Sequence, residues 1–316
     1  MAEKNFDIVI VGGGPGGLCA GMYAARARRK VVCIERLLTG GQISLTGDVE
    51  DYPGFEHISG PELGKKFTDH AKKFGLEIAQ DEVNEVYADG DERLVACASG
   101  TIYRAKAVIV STGGTPVKLA VVGEQEFSGK GVSYCAICDG AFFKDKVIAV
   151  VGGGDAAIEE GTFLTKYGSK VYIIHRRDKL RAQKIIQQRA FDNKKIEFIW
   201  NSAVDEIHGT NGIISSLTLR NTVTDKTSKL DVGAIFIYIG FRPNSDIFRE
   251  EVKTDTNGYI ITNDRMETST PGIFACGDVR SQLVRQVTNA VGDGTTAAVA
   301  AEKYIEALED KIHQRV

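Results

Sequence analysis

A unit of strand, glycine turn, helix and strand occurs twice in this chain and constrains its fold more than any other feature. "FDIVIVGGGPGGLCAGMYAARARRKVVCIE" runs from Phe6 to Glu35, and "KVIAVVGGGDAAIEEGTFLTKYGSKVYIIHRR" from Lys146 to Arg177. The apolar runs at both ends of each unit are continuous rather than alternating, as in strands of a parallel sheet covered on both faces. Between them lie segments with apolar residues at helical spacing: Leu18, Met22 and Ala25 in the first, and less regularly Ile158, Thr162 and Leu164 in the second. The expected fold class is α/β, with two Rossmann-like, three-layer nucleotide-binding domains.

The turns read G-x-G-x-x-G at Gly12, Gly14 and Gly17, and G-x-G-x-x-A at Gly152, Gly154 and Ala157. In such turns the first glycine bends the chain sharply. The second admits a pyrophosphate to the backbone, and the third small residue lets helix and strand pack closely. The pyrophosphate then meets free N–H groups at a helix N-terminus. One glycine-rich turn is a weak signal; two, each between an expected strand and helix, are a strong one.

The residues beyond each turn separate the ligands. Glu35 lies 23 residues after Gly12, where an acid accepts hydrogen bonds from the ribose hydroxyls of NAD or FAD. The matching position after Gly152 is His175, with Arg176 and Arg177 next and Arg181 further on. Arginines suit a 2′-phosphate through fixed charge and bidentate geometry, so the second unit is expected to take NADPH in preference to NADH. A solvated basic helix start would also read "HRRDKLRAQK", but the register to Gly152 favours the nucleotide. The first unit is expected to hold FAD, supported by the distant "TSTPGIFACGDV" (268–279), an apolar run ending in Gly277-Asp278. The segment after it, "RQVTNAVGDGTTAAVAAEKYIEAL", is expected to become an amphipathic helix from near Gly292.

Composition narrows the class. A length of 316 residues suits two domains, and a net charge of −3 gives no reason to expect nucleic acid or an anionic membrane as partner. The 35 glycines exceed the usual share of about 7%, while only six prolines occur, so low complexity is not the reason. "MAEKNFDIVIVGGG" lacks the pattern of a signal peptide, and no stretch approaches the roughly 20 apolar residues of a membrane span. A cytoplasmic location is expected. The six cysteines are widely spaced apart from one pair and do not resemble a secreted disulfide framework.

That pair, Cys135 and Cys138, lies in "SYCAICDGAFF" (133–143). A zinc site needs four ligands, and the five histidines, His57, His70, His175, His208 and His313, are scattered singly, so no metal is expected. A purely structural pair remains open, but a C-x-x-C loop in a cytosolic setting more often carries redox chemistry. The loop immediately precedes the strand expected from Lys146. Asp139 is a carboxyl beside the two thiols, fit either to protonate a leaving thiolate or simply to serve the "DG" turn. Phe142 and Phe143 are an apolar landing site or ordinary core. Cys19, Cys33 and Cys276 read as small apolar core residues.

With these motifs in order, the chain resembles the bacterial-type, low-molecular-weight thioredoxin reductases. The resemblance covers nearly the whole chain. It rests on "VGGGPGG", "GGQ" (40–42), "STGG" (111–114), "CAICDG" (135–140), "VGGGDAAIEE", "HRRDKLRA", "GFRPN" (240–244), "IFACGD" and "RQ" (285–286). It implies an FAD domain in two pieces, 1–114 and 246–316, with an NADPH domain of 115–245 inserted between them. It implies that FAD is lined by Gly12, Gly14, Pro15, Gly17, Glu35, Gly41, Gln42, Thr46, Asp51, Thr112, Gly113, Gly277, Asp278, Arg285, Gln286 and Val287. NADPH is implied at Gly152, Gly154, Asp155, Ala157, His175, Arg176, Arg177 and Arg181.

The resemblance further implies a redox-active Cys135–Cys138 disulfide. In that reading Cys138 meets the flavin, Cys135 attacks the protein substrate thioredoxin, and Asp139 acts as the acid. A homodimer is implied, as is a rotation of the NADPH domain about hinges at 112–116 and 240–244. Two residues depart from the family pattern: Asp51 stands where asparagine is frequent, and Ser111 where alanine is. The absence of a C-x-x-x-x-C pair after the first helix argues against the glutathione reductase type. A reductase for another dithiol protein, such as a peroxidase partner, is the alternative; it would normally carry an extra N-terminal redox domain, whereas the first strand is expected five residues into this chain. A ferredoxin-dependent relative should lack the nucleotide glycines and arginines. A non-catalytic flavin redox sensor would not need the C-x-x-C-D-G loop.

Overall fold

The computed structural model describes residues 2–45 and 48–313. The chain forms two compact units. One gathers the described residues of Met1–Ser44, Asp48–Thr115 and Arg242–Val316; the other is built on Pro116–Phe241. The chain passes from the first to the second and back once.

The first unit opens with β1 (Glu3–Val11), α1 (Pro15–Arg26) and β2 (Val31–Glu35). Ile8, Val9 and Ile10 of β1 are 0% exposed, as expected for a strand covered on both faces. Pro15 opens α1, where its missing N–H costs nothing. Next come α2 (Gly60–Lys73), β3 (Glu77–Gln80), β4 (Val83–Asp89), β5 (Glu92–Cys97) and β6 (Ile102–Val110). Ser59 caps α2 by accepting the N–H of Glu62, and His70, Lys72 and Lys73 sit in its last turn, where the dipole favours positive charge. The strand order is β3-β2-β1-β6-β5-β4, parallel from β3 to β6 and antiparallel beyond.

The second unit begins with β7 (Val132–Ser133) and the four-residue helix α3 (Ala136–Asp139), which carries the cysteine pair. It continues with β8 (Val147–Gly152), α4 (Asp155–Leu164), β9 (Lys170–Ile174), α5 (Lys184–Asp192) and β10 (Ile196–Ile199). A three-stranded antiparallel sheet comes next: β11 (Ser202–Thr210), β12 (Ile213–Asn221) and β13 (Thr227–Asp231). β14 (Ala234–Tyr238) then returns to the parallel sheet, whose order is β7-β14-β8-β9-β10.

The first unit is completed by β15 (Ile273–Ala275), parallel to β6, and by α6 (Val287–His313). This helix starts five residues before the expected Gly292. Glycines inside a helix cost about 1 kcal/mol each relative to alanine, which is why the sequence points to a later start. Gly294 is retained because α1 lies against it: a Cβ there would come within 2.2 Å of the Gly16 carbonyl oxygen. α1 accordingly buries a stripe of small residues, including Gly17, Ala20, Gly21 and Ala24, beside Leu18. Met22 and Ala25, expected on the buried face, are only partly covered. Among the described residues no helix is long and apolar enough to cross a membrane.

Candidate active site: two glycine turns and a cysteine loop

In the first turn, each small residue answers a different constraint. Gly12 has φ +103°, and a Cβ there would lie 2.3 Å from the Ser111 carbonyl oxygen. A Cβ on Gly17 would lie 2.0 Å from the Gly12 carbonyl oxygen, so helix and turn meet backbone to backbone. Gly14, the N-cap of α1, has nothing within 4 Å of a Cβ and leaves the helix N-terminus open. The Glu35 carboxylate ends β2 beside this turn. It accepts the Gly13 N–H at 2.6 Å and the Leu37 N–H at 2.8 Å, which fixes its position. Gly40 N donates to the Gly13 carbonyl at 2.8 Å, bringing Gly41 against Gly14.

The other expected FAD residues that the structure describes lie on several segments of the same unit. The Gln42 amide donates to the Gly114 carbonyl at 3.3 Å. Asp51 is exposed in a bend, and Thr46 lies outside the described residues. Thr112 and Gly113 come directly after β6; Thr112 Oγ1 donates to the Asn244 carbonyl at 2.6 Å, and Asn244 Nδ2 returns a bond to the Thr112 carbonyl at 2.9 Å. Gly277 and Asp278 form a short turn after β15. The Asp278 carboxyl has no hydrogen-bond donor among the described residues, and burial raises it above the usual carboxylate range, partly opposed by the Arg285 charge. An unpaired, half-buried carboxyl suits a polyhydroxyl ligand. Arg285 lies over the Tyr259 ring at 4.2 Å, Gln286 accepts the first helical bond from Ala290, and Val287 opens α6.

The second turn repeats the first. Gly152 lies against the Tyr238 carbonyl oxygen and the Ala157 Cβ, where a Cβ would come within 2.3 and 2.6 Å. Gly154 is open, with nothing within 4 Å. His175 is buried beneath Gly153, its Nε2 3.0 Å from the Lys179 carbonyl. Burial holds its imidazole below the ordinary range, reinforced by the Arg181 and Arg176 charges. Arg181 N donates to the Gly153 carbonyl at 2.7 Å, which ties the arginine segment to the turn. Arg176, Arg177 and Arg181 are exposed, and none is paired with a carboxylate among the described residues. Asp155 is occupied locally: its Oδ1 accepts the Gln183 N–H at 2.7 Å.

Cys135 and Cys138 are joined as a disulfide, with Cα atoms 5.4 Å apart. Cys135 is the N-cap of α3, and its Sγ accepts the Cys138 N–H at 3.2 Å. The Tyr238 hydroxyl accepts the Ala136 N–H at 2.8 Å. Burial, with the Glu160 charge, raises the Tyr238 phenol far above its usual range, so it stays protonated. Ser133 Oγ donates to Asp139 Oδ2 at 2.6 Å and accepts the Cys135 N–H at 3.1 Å. Tyr134 donates to Glu124 at 2.6 Å; that buried carboxylate also accepts the N–H groups of Leu119 and Ala120. Phe143 packs edge-on to Phe236 at 5.9 Å, while Phe142 is 79% exposed. Ser133, Asp139 and both phenylalanines border a cavity of about 380 Å³.

Ser133, Tyr238 and Glu124 have no signature in the sequence. Each is a polar residue in or beside an apolar strand or in a loop, and its role comes from partners distant in sequence. Only Ser133, two residues before Cys135, carries a local hint.

The sequence model of the family described as "Pyridine nucleotide-disulphide oxidoreductase" matches residues 6–294. The chain is 51% identical over 310 residues to the thioredoxin reductase of Bacillus subtilis (strain 168), covering 98% of each chain. Among solved structures it is similar to the thioredoxin reductase of Lactococcus lactis, with a TM-score of 0.94 and 45% identity over 96% of this chain and 99% of that one. The thioredoxin reductase of T. acidophilum gives a TM-score of 0.92 at 34% identity, again over 96% and 99%.

Proposed function

Because the chain belongs to the pyridine nucleotide-disulphide oxidoreductase family and is a thioredoxin reductase within it, we propose a division of labour among its residues. It is a flavoprotein oxidoreductase that uses FAD and NADPH. FAD, when bound, supplies the two-electron relay between a nicotinamide hydride and a disulfide.

Gly12, Gly14, Pro15 and Gly17 present the N-terminus of α1 to the FAD pyrophosphate, and Glu35 receives the ribose hydroxyls. Gly41, Gln42, Thr46, Asp51, Thr112, Gly113, Gly277, Asp278, Arg285, Gln286 and Val287 line the rest of that site. In the second unit, Gly152, Gly154 and Ala157 do the same for NADPH. Arg176, Arg177 and Arg181 hold the 2′-phosphate, supported by their lack of competing carboxylates. Asp155 and His175 fix the arginine segment to the turn.

Reduction of the disulfide leaves two sulfurs and requires a proton. Asp139 carries that proton to the leaving thiolate, and Cys138 is the sulfur that faces the flavin. Cys135 then attacks the disulfide of thioredoxin. The amide that reaches its Sγ from Cys138 favours the thiolate there, as at other helix N-caps. Exposed Phe142 gives the partner an apolar contact beside the cysteines. The nicotinamide site and the disulfide ride on one unit and must both serve one flavin, so the reading includes reorientation of that unit about the crossing segments. A homodimer and a cytoplasmic location belong to the same proposal; four buried free thiols suit a reducing compartment.

The single observation that carries this reading is the disulfide loop, with its acid, on the same unit as an arginine-marked nucleotide turn. The test is NADPH oxidation by the purified yellow protein with several thioredoxins and, separately, a peroxidase-type dithiol partner. Thioredoxin-dependent turnover that vanishes in Cys135→Ser and Cys138→Ser is expected. Turnover only with the peroxidase partner would favour the alternative.

A further inference from the structure

We propose that Ser133 is a positioning residue for Asp139: its hydroxyl pins Oδ2 so that the transferable proton is carried on Oδ1. This rests on the reading of Asp139 as the acid of the disulfide step.

The geometry leaves the hydroxyl little freedom. Ser133 is 4% exposed, at the end of β7. Its oxygen accepts the Cys135 N–H at 3.1 Å, which occupies one lone pair and orients the group. Its one proton has two acceptors in reach, Asp139 Oδ2 at 2.6 Å and the Cys135 carbonyl at 3.3 Å. The shorter contact to a carboxylate takes it, since hydrogen bonds to charged acceptors are the stronger kind. Asp139 Oδ1 has no hydrogen-bond partner among the described residues and is the oxygen left to exchange a proton with a sulfur. One hydroxyl thus links the backbone of the first cysteine to the carboxyl six residues beyond Ser133. The chain of N–H, O–H and carboxylate is polarised in one direction, which strengthens each bond.

When Asp139 gives up its proton, an O–H bond on Oδ1 breaks and an S–H bond forms, leaving the carboxylate negative. The bond from Ser133 is already directed at that developing charge, so no group must reorient during transfer. Other charged or titratable groups face this site: Lys130 borders the same cavity, Tyr238 reaches Asp139 from β14, and Glu160 of α4 lies against Tyr238. These set a background that a Ser133 substitution leaves in place.

The test uses the FAD-loaded full chain with Ser133→Ala, Ser133→Thr and Ser133→Val. Thr and Val have the same shape and differ in the hydroxyl alone, so any overpacking is common to both. Stopped-flow measurement of the disulfide-reduction step should show a loss of roughly ten- to a hundredfold in Ser133→Ala and Ser133→Val, with rescue in Ser133→Thr. The KM values for NADPH and thioredoxin should stay within about twofold, as expected for a group that contacts neither substrate. In an Asp139→Asn background, Ser133→Ala should have little further effect. Equal rates for Ser133→Val and Ser133→Thr would overturn the proposal. So would the same fold-loss from Ser133→Ala with and without Asp139. Full activity of Asp139→Asn itself would instead remove the reading of Asp139 as the acid, whatever the Ser133 variants do.

Discussion

Gly14 and Gly17 stand three residues apart in one turn, yet the structure assigns them opposite liabilities. Gly14 has φ −73° and ψ −177°, a conformation any residue adopts, and nothing lies within 4 Å of a Cβ built there. Gly14→Ala therefore meets no clash in the protein. Alanine is a poorer N-cap than glycine, but it also loses less entropy on folding, by about 0.4–1 kcal/mol. The two effects nearly cancel, so apoprotein stability should change by less than about 1 kcal/mol. The methyl group would occupy the approach of the pyrophosphate. Each lost bond between a backbone N–H and a charged phosphate costs about 1.5–3 kcal/mol, or roughly 10- to 150-fold in Kd.

At Gly17 the Cβ would stand 2.0 Å from the Gly12 carbonyl oxygen and 3.2 Å from Ile10 Cγ2, so α1 must move off the turn. Overpacking of this kind costs about 1–3 kcal/mol, and the shift also spoils the FAD site. The assay pairs urea unfolding of the FAD-free proteins with titration of FAD into each. Flavin must be removed first, because a bound ligand raises apparent stability by mass action. The expected outcome is a stable Gly14→Ala protein that binds FAD poorly, and a Gly17→Ala protein impaired in both. FAD affinity unchanged in Gly14→Ala, or Gly17→Ala apoprotein as stable as Gly14→Ala, would refute the reasoning.

The arginine pair and His175 give two further expectations. Arg176→Ala/Arg177→Ala should weaken NADPH binding by at least about tenfold, from the loss of charge-assisted bonds, while NADH binding measured by calorimetry is nearly unchanged; equal losses would defeat the 2′-phosphate assignment. The His175 imidazole is held below its ordinary value of 6.5 in the fold, so the unfolded chain binds the proton more readily. Its contribution to stability is complete above about pH 6.5 and is lost as the pH falls toward the folded-state value. Urea midpoints of the second unit should therefore fall between about pH 7.5 and 5.5, and His175→Gln should flatten that dependence; an unchanged slope would show that His175 is not its source.

The two glycine turns and the residues set against them are readable because they are encoded by spacing. The Gly12–Gly14–Gly17 and Gly152–Gly154–Ala157 turns, Glu35 and the arginines each sit at a fixed distance from a strand end, and the backbone enforces that distance. The buried face of α1 is less readable. It is built from small residues because different neighbours leave no room for large ones: Ala290 and Gly294 of α6 lie against Gly16 and Ala20, the Gly12 turn against Gly17 and Leu76 against Gly21, so hydrophobic periodicity understates it. The start of α6 is hidden for the same reason: Gly294 looks like a helix breaker until α1 is seen against it. That Asp155 Oδ1 also holds Gln183 N, a partner 28 residues away, is something no local pattern announces. Ser133 and Tyr238 belong to the same class, since a serine or tyrosine at a strand end has no signature until the loop it holds is in place.

The two places where the chain crosses between units are each fastened on both sides. Asn244 is bonded to Thr112 and Gly113 in the first unit, and Val117 N donates to the Gly240 carbonyl at 2.9 Å in the second. The inserted segment thus leaves and re-enters its host through one narrow doorway, with its two ends already side by side. Such a segment can be gained or lost as a cassette: splicing Thr115 to Arg242 would close the host, and residues 116–241 carry their own sheet and cores. The chain therefore has the anatomy of one Rossmann-like unit set whole between two pieces of another, with the disulfide carried by the inserted one.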